Sequence, residues 1–536
     1  MALGFGAHRL KQSRVPKHSS MPALLTGTTQ LDRVATRAPA RMLAVILLAA
    51  AACSTLQALS KPFWNDEIIT VIVSGLPGLR DVWNALDDAA DTNPPGFYLA
   101  ARVARWFVAD DHLAHRLPSI AGFLIVIACV FLFLSHRVSN LSAVVGATFL
   151  LTTPLGEYAY EARPYALMIG CVSAAMLFWQ RADSKWYALP LALALAASVS
   201  LHYYAVFVWP VFIAAESTVS VRRRVRLHVW LAIVAALTPL LFFSPLLMKV
   251  REYYGGDFWA RTYLAQSVMA HDWLFLGKGH WGATLTAGLS LALVYWLGSR
   301  QQLRQDAPTS TPTAPVVPSE EYVLVFLMLW MPAIAVALAL VGGAGLTERH
   351  FLPATVGGAL AVGLLVDRLR PEVRAVLLAL LVSSYVYSSH HEIGMTWRRT
   401  LLDQRRAKTA EIEEIMKAGS AEAPLVFASA LEYLEAAYFA SPPSGGRLHF
   451  IADPSAAVRF TGSASRDLAL LRLQHWFPLQ VEPYQDFAAN HSRFVLVSGK
   501  DPYSEWWLRR LLHDGQQLRL LSVAAGRPLY EVALQP

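Results

Sequence analysis

Two adjacent carboxylates, Asp66 and Glu67, stand where the first strongly apolar segment, Arg41 to Ser60, gives way to a polar loop. About 20 residues at 1.5 Å each cross a hydrocarbon core of roughly 30 Å, so the pair sits at the mouth of a membrane helix. Acids there are hydrated enough to stay ionised and close enough to lipid to meet a substrate with a lipid tail. Neighbours on a helix point about 100° apart, so the two cannot serve one atom directly. Either one acts as a base while the other orients a partner or binds a metal, or both are solvated loop acids.

Cations complement these acids. Arg163 heads an apolar run, and Pro164 after it suits a first helical turn. A guanidinium there can grip a lipid-linked phosphate through two bonds. The alternatives are an arginine snorkelling to the interface or a local pair with Glu161. Arg349, within Thr347-Glu348-Arg349-His350, reads the same two ways. Arg116 reads as the anchor of the second span. His202, beside Tyr203 and Tyr204, is the lone histidine of its segment, and such a residue is more often structural. Asp91-Thr92-Asn93-Pro94-Pro95 and the aromatic stretch Tyr253–His280 complete the set.

The elements that must position these groups are membrane helices. The 536 residues are 55% hydrophobic and only 16% charged, against roughly 25% charged in soluble domains. The mean hydropathy is +0.38. The net charge of +8 does not imply nucleic acid, because the basic residues are dispersed among apolar runs, where they orient the chain instead. Cys53, Cys129 and Cys171 all fall inside apolar runs and suggest neither a disulfide framework nor a metal site.

Eleven apolar runs of spanning length appear, at 42–60, 117–135, 140–156, 163–180, 186–201, 204–219, 228–248, 281–299, 321–341, 353–367 and 373–389. Residues 1–41 carry seven Lys/Arg against one acid and read as a cytoplasmic basic leader. With that leader inside, the loops at 136–137, 181–185, 222–228, 300–304 and 367–374 are also inside, and each carries Arg or Lys. The opposite side receives 61–116, with eight acids, and 157–162, 249–280 and 342–352. Stretches 80–90 and 94–108 read as amphipathic surface helices of the first outer loop, with Arg102 and Arg105 toward headgroups. The second large outer loop is 249–280, and 300–320, rich in Gln, Pro and Thr, reads as a flexible linker. From 390 to 536, short β-rich runs (425–428, 448–452, 494–498, 518–523, 529–533) alternate with helical stretches at 430–440 and 504–513, which indicates a small extracytoplasmic α/β domain. The expected fold is therefore an α-helical polytopic membrane protein with a transmembrane body at 42–389 and that domain appended.

Five motifs on these elements are ordered in a recognisable way: WNDE after the first span, NPPGFYLAARVARW in the first outer loop, HRLPSIAG opening the second span, EARPYAL opening the fourth, and ERHFLPA late in the chain. Together they resemble the GT-C membrane glycosyltransferases of the protein-O-mannosyltransferase and aminoarabinose-transferase type, family 39-like. The motifs carry the resemblance from 42 to about 366. It implies transfer of a sugar from a polyprenyl-phosphate carrier, with inversion, to a glycan, lipid or protein acceptor at the outer face of the plasma membrane. It also implies an acceptor-activating Asp66 with Glu67 beside it, and surface helices framing the site. Arg163 and Arg349 are then the phosphate contacts, with Glu161, Tyr165, His202, Tyr203 and Arg116 around the substrate. No cofactor is assigned, and a divalent metal on Asp66, Glu67 and Asp91 stays open; some relatives carry an acid or histidine where this chain has Asn93. A lipid-linked glycan ligase or polymerase, a transporter and a ligand-binding sensor are the rival readings.

Overall fold

The structure, a computed structural model, describes residues 37–255, 259–275, 281–306, 317–397, 403–419, 423–440, 444–499 and 505–534. The expected leader lies outside the described residues except for its last five positions, where the first helix, Pro39–Ser60, already begins.

All eleven apolar runs fall in helices. Pro39–Ser60, Asp111–Ser135, Tyr203–Arg222, Leu227–Tyr254 and Pro371–Ser389 are each long and apolar enough to cross a membrane. Two bent pairs meet the same test when joined, Pro154–Tyr160 with Tyr165–Gln180 at 117° and Ser319–Leu329 with Met331–Gly342 at 63°. The remaining four runs form shorter apolar helices at Asn140–Thr152, Lys185–Leu201, Gly282–Tyr295 and Ala354–Val366. Thirteen residues reach only about 20 Å, less than a bilayer core. Ala354–Val366 meets this shortfall by lying almost wholly buried among its neighbours.

Helix Asp111–Ser135 is the backbone of the bundle. A Cβ placed on Gly122 would lie 2.3 Å from the Leu167 Cα, so this helix and Tyr165–Gln180 touch main chain to main chain. Small residues permit such contact between helices in lipid. About 30 Å along the same helix from Arg116, by its rise per residue, Arg137 pairs with Glu321 at 2.6 Å. Other residues of the basic loops form comparable clasps, Arg226 with Glu216 at 2.5 Å and Arg374 with Asp367 at 3.4 Å.

The loop after the first helix folds into three short helices, Asn65–Gly75, Leu79–Asp87 and Gly96–Arg105. The last two answer to the expected surface helices, and Arg102 ties one of them to Asn65–Gly75. It donates to the carbonyls of Ser74 at 2.8 Å and Pro77 at 3.1 Å, and to that of Leu76. Orphan carbonyls at the end of Asn65–Gly75 need donors, and the guanidinium supplies several at once. Arg105 lies 3.5 Å from Asp111. Gly96 seats its helix on the bundle, since a Cβ there would meet the Ser200 carbonyl oxygen at 2.3 Å.

Three expected boundaries also move. Helix Gly282–Asp306 runs into the stretch taken for a linker, of which 307–316 lie outside the described residues. Thr238–Tyr254 extends into the loop expected at 249–280, which also holds helix Gln266–Leu274. Pro371–Trp397 continues past 390, where the α/β domain was expected to begin.

Beyond it, six strands form one sheet in the order β3-β2-β1-β4-β6-β5. They are β1 (Leu425–Phe427), β2 (Leu448–Ala452), β3 (Val481–Pro483), β4 (Arg493–Val497), β5 (Leu518–Ala524) and β6 (Arg527–Ala533). The first four are parallel, and β5 and β6 form an antiparallel hairpin. Ala525 and Gly526, both at positive φ, make its tight turn. Five strands match the sequence expectation. The missed β3 has three residues and ends on a proline at the sheet edge.

The α/β domain is joined to the first loop rather than tethered beside it. Phe63, Ile68 and Ile72 share one apolar cluster with Leu425, Phe427 and Tyr433. Around this cluster Arg472 and His475 reach Asp88 at 2.9 and 2.8 Å, and Arg405 reaches Asp110 at 2.9 Å.

Candidate active site

Helix Asn65–Gly75 turns Asp66 and Glu67 to different surroundings. Glu67 points inward and accepts from Arg116 Nε and Nη2, each at 2.7 Å. It also takes the Ala162 N–H at 2.6 Å. Arg116 gives its remaining protons to the carbonyls of Ala58, Lys61 and Pro62. Neither side chain reaches solvent. The pair ties together the end of the first helix, the helix bearing Asp66, the second span and the break at Ala162, and does not line the cavity described next.

Asp66 lines a cavity of about 530 Å³, a size typical of ligand sites. Arg349 Nη1 donates to its Oδ2 at 2.6 Å, and Arg163 Nη2 stands 3.6 Å from the same oxygen. Arg163 is delivered by the 117° break, where the chain leaves Pro154–Tyr160 and starts Tyr165–Gln180; Arg349 comes from a 3₁₀ turn, Glu348–Phe351. Burial alone would push the Asp66 carboxyl up, but the guanidiniums of Arg163 and Arg349 outweigh it and hold it below its ordinary 3.8. The Nε–H of each arginine is buried without a hydrogen-bond partner among the described residues.

Arg163 is also held from behind. Asp91 lies 3.7 Å from its Nη1 and accepts from Tyr98 Oη at 2.6 Å and the Thr92 N–H at 2.6 Å. Burial first, and then the charge of Asp91, keep the Tyr98 phenol protonated well above its ordinary 10. Sequence reading reached Asp91 only as a metal candidate and did not reach Tyr98. The available signal was their spacing of seven residues around Asn93-Pro94-Pro95.

The other expected residues divide. Tyr165 lies under both guanidiniums, its ring centre 5.9 Å from Arg163 and 5.8 Å from Arg349, a cation–π arrangement. Behind it His202 packs on Tyr165 at 5.2 Å and on His350 at 5.5 Å. Each histidine accepts a backbone N–H at Nδ1, His202 from Tyr204 and His350 from Thr347. Burial, followed by the charges around it, pushes the His350 imidazole well below 6.5, so it stays neutral. Glu161 turns to Lys61 at 2.9 Å, and Tyr203 is buried with its hydroxyl unpartnered among the described residues. Neither lines the cavity.

The proposed metal set does not converge. Glu67 is spent on Arg116, Asp91 on Tyr98, and Arg163 stands between Asp66 and Asp91. Among the described residues no three His, Cys, Asp or Glu side chains are grouped to hold a metal ion.

The far wall is built by the α/β domain and includes Leu431, Ser465 and Arg466. Asn65 Nδ2 reaches the Leu431 carbonyl at 3.3 Å, and the Trp259 N–H reaches Ser465 Oγ at 3.0 Å. Arg466 adds to the positive field on Asp66.

No protein-family model matches the chain, and no curated protein matches it in sequence. Its fold is found in solved structures. The crystal structure of ArnT from Cupriavidus metallidurans in the apo state aligns with a TM-score of 0.57, and the same protein bound to undecaprenyl phosphate with 0.54. Each alignment covers 91% of this chain and 97% of the other, at 13% identity. The chain is thus an integral membrane protein that shares its fold with ArnT.

Proposed function

We propose that this protein is a membrane glycosyltransferase that moves a sugar from a polyprenyl-phosphate carrier to an acceptor hydroxyl. The carrying observation is that Arg163 and Arg349 converge on Asp66 in one cavity, each with a buried N–H unpartnered among the described residues. Two guanidiniums set against a carboxylate suit a leaving phosphate beside a base. The ArnT structure holding undecaprenyl phosphate supports the carrier class.

The donor's phosphate draws Arg163 and Arg349 onto its oxygens and releases Asp66 from its ion pairs. The acceptor hydroxyl attacks the anomeric carbon from the face opposite the phosphate. The new C–O bond forms as the bond to the phosphate oxygen breaks, inverting the centre. Asp66 takes the hydroxyl proton, and the phosphate leaves with the bonding pair, its charge held by the two arginines. Positioned base catalysis contributes roughly 10²–10⁴-fold. Carbohydrate, lipid and protein acceptors are all compatible with this step.

The reaction face is placed on the extracytoplasmic side of the plasma membrane. The charge pattern supports this, since the loops that orient a chain inward hold Arg137, Arg226 and Arg374. The test is transfer of labelled sugar from a synthetic polyprenyl-phosphate sugar by purified protein in lipid. Transfer by the native chain and none by Asp66→Asn supports the reading. Uptake of solute by vesicles without any transfer overturns it in favour of a transporter.

A further inference from the structure

The main cavity has an annex in the α/β domain. This second space, about 160 Å³, is bordered by Trp259, Ala430 and Arg466, three residues that also border the main cavity. It lies where β1 ends, at Ala428 and Ser429, and beside Phe450 of β2. β1 pairs with β2 on one side and β4 on the other, all parallel. In open α/β sheets, ligands bind outside the carboxyl ends of the strands at such a reversal of strand order.

The annex combines aromatic surface with groups that bond hydroxyls. Trp259 is half-exposed and Trp506 is buried deeper. Thr461, Ser463, Arg466 and Asp467 also line the space. Asp467 Oδ2 accepts the Asp453 N–H at 3.0 Å and Oδ1 the Trp506 Nε1–H at 3.2 Å. Burial pushes its carboxyl up to about 7. An apolar wall with a few convergent polar groups fits a small, uncharged, hydroxyl-rich ring. The space is under a third of the main cavity's and too small for a lipid chain.

We infer that the annex is a binding site for one sugar ring, supplied by the acceptor and seated by the α/β domain next to Asp66. The inference rests on the transferase reading for the role of that ring, but the ring's binding is measurable without any transfer.

The probes are methyl glycosides of glucose, galactose and glucosamine, added to the full chain in lipid nanodiscs and read by saturation-transfer NMR. Two variants at residues that border the annex and not the main cavity fill the space: Thr461→Leu and Ser463→Leu. At least one glycoside gives a saturable signal with the native chain, and both variants weaken its affinity at least tenfold. Their thermal midpoint and their binding of polyprenyl phosphate stay at the native level. The inference is overturned if no glycoside gives a saturable signal, or if the signal survives both variants. Failure of the native chain to bind polyprenyl phosphate or to transfer label would instead remove the transferase reading.

Discussion

Glu67 and Arg116 form a fork of two 2.7 Å hydrogen bonds with neither side chain open to solvent. Removing one partner leaves an uncompensated buried charge, a loss of about 3–5 kcal/mol. Arg116→Leu should therefore lower the unfolding midpoint and the yield of membrane-inserted protein. Glu67→Gln should do the same, since it keeps the shape but strands the guanidinium. A Glu67→Gln protein with native melting and no transfer would return Glu67 to the chemistry.

Asp66 carries the opposite expectation. Asp66→Asn removes the base and should reduce transfer roughly 10²–10⁴-fold. It also takes the shared carboxylate from Arg163 and Arg349, so melting should fall modestly while insertion stays near native. Rates from single turnovers with preloaded donor, compared at equal folded concentration, separate the two effects.

The pH dependence follows from the field on Asp66. Its folded-state pKa lies below 3.8 because Arg163 and Arg349 offset burial. The ionised form is thus favoured by folding. That stabilisation is fully present above the unfolded value and disappears as pH falls through the lower folded one. In the free enzyme, the acid limb of kcat/KM belongs below about pH 4. Arg349→Gln removes one of the two largest offsets, so the limb should move upward. An unchanged limb in that variant would detach Arg349 from Asp66.

Asp91 is expected to act through Arg163 and not on substrate. Asp91→Asn loosens the guanidinium, and the donor's KM should rise about tenfold, comparable to losing a charge-assisted hydrogen bond. Tyr98→Phe should show a smaller change in the same direction, because Asp91 keeps the Thr92 N–H. A fall in kcat at constant KM in either variant would contradict this role.

Much of this was legible in the chain because lipid imposes strong patterns. Apolar runs marked the helices, and alternation with short β-branched stretches marked five of six strands. Asp66, Arg163, Arg349 and Tyr165 were singled out by residue type at a run's edge, and the fold brings them together. Glu67 and Arg116 belonged to the same motifs, but sequence spacing does not say which face of a helix looks into a cavity. Arg466 gave no local signal, and Trp259 was marked only as part of the aromatic stretch Tyr253–His280. They join the site only because Phe63, Ile68 and Ile72 share an apolar cluster with the α/β domain, a contact spanning more than 350 residues.

The glycine seam between helices Asp111–Ser135 and Tyr165–Gln180 has a mechanical consequence. Where main chains already touch, there is no side-chain slack to compress, so Arg163 stands on a fixed post. Whatever room the donor needs to enter must come from the opposing jaw, the Arg349 turn. Crosslinking across the seam should leave turnover intact, whereas tethering that jaw to the helix bearing Asp66 should stall it.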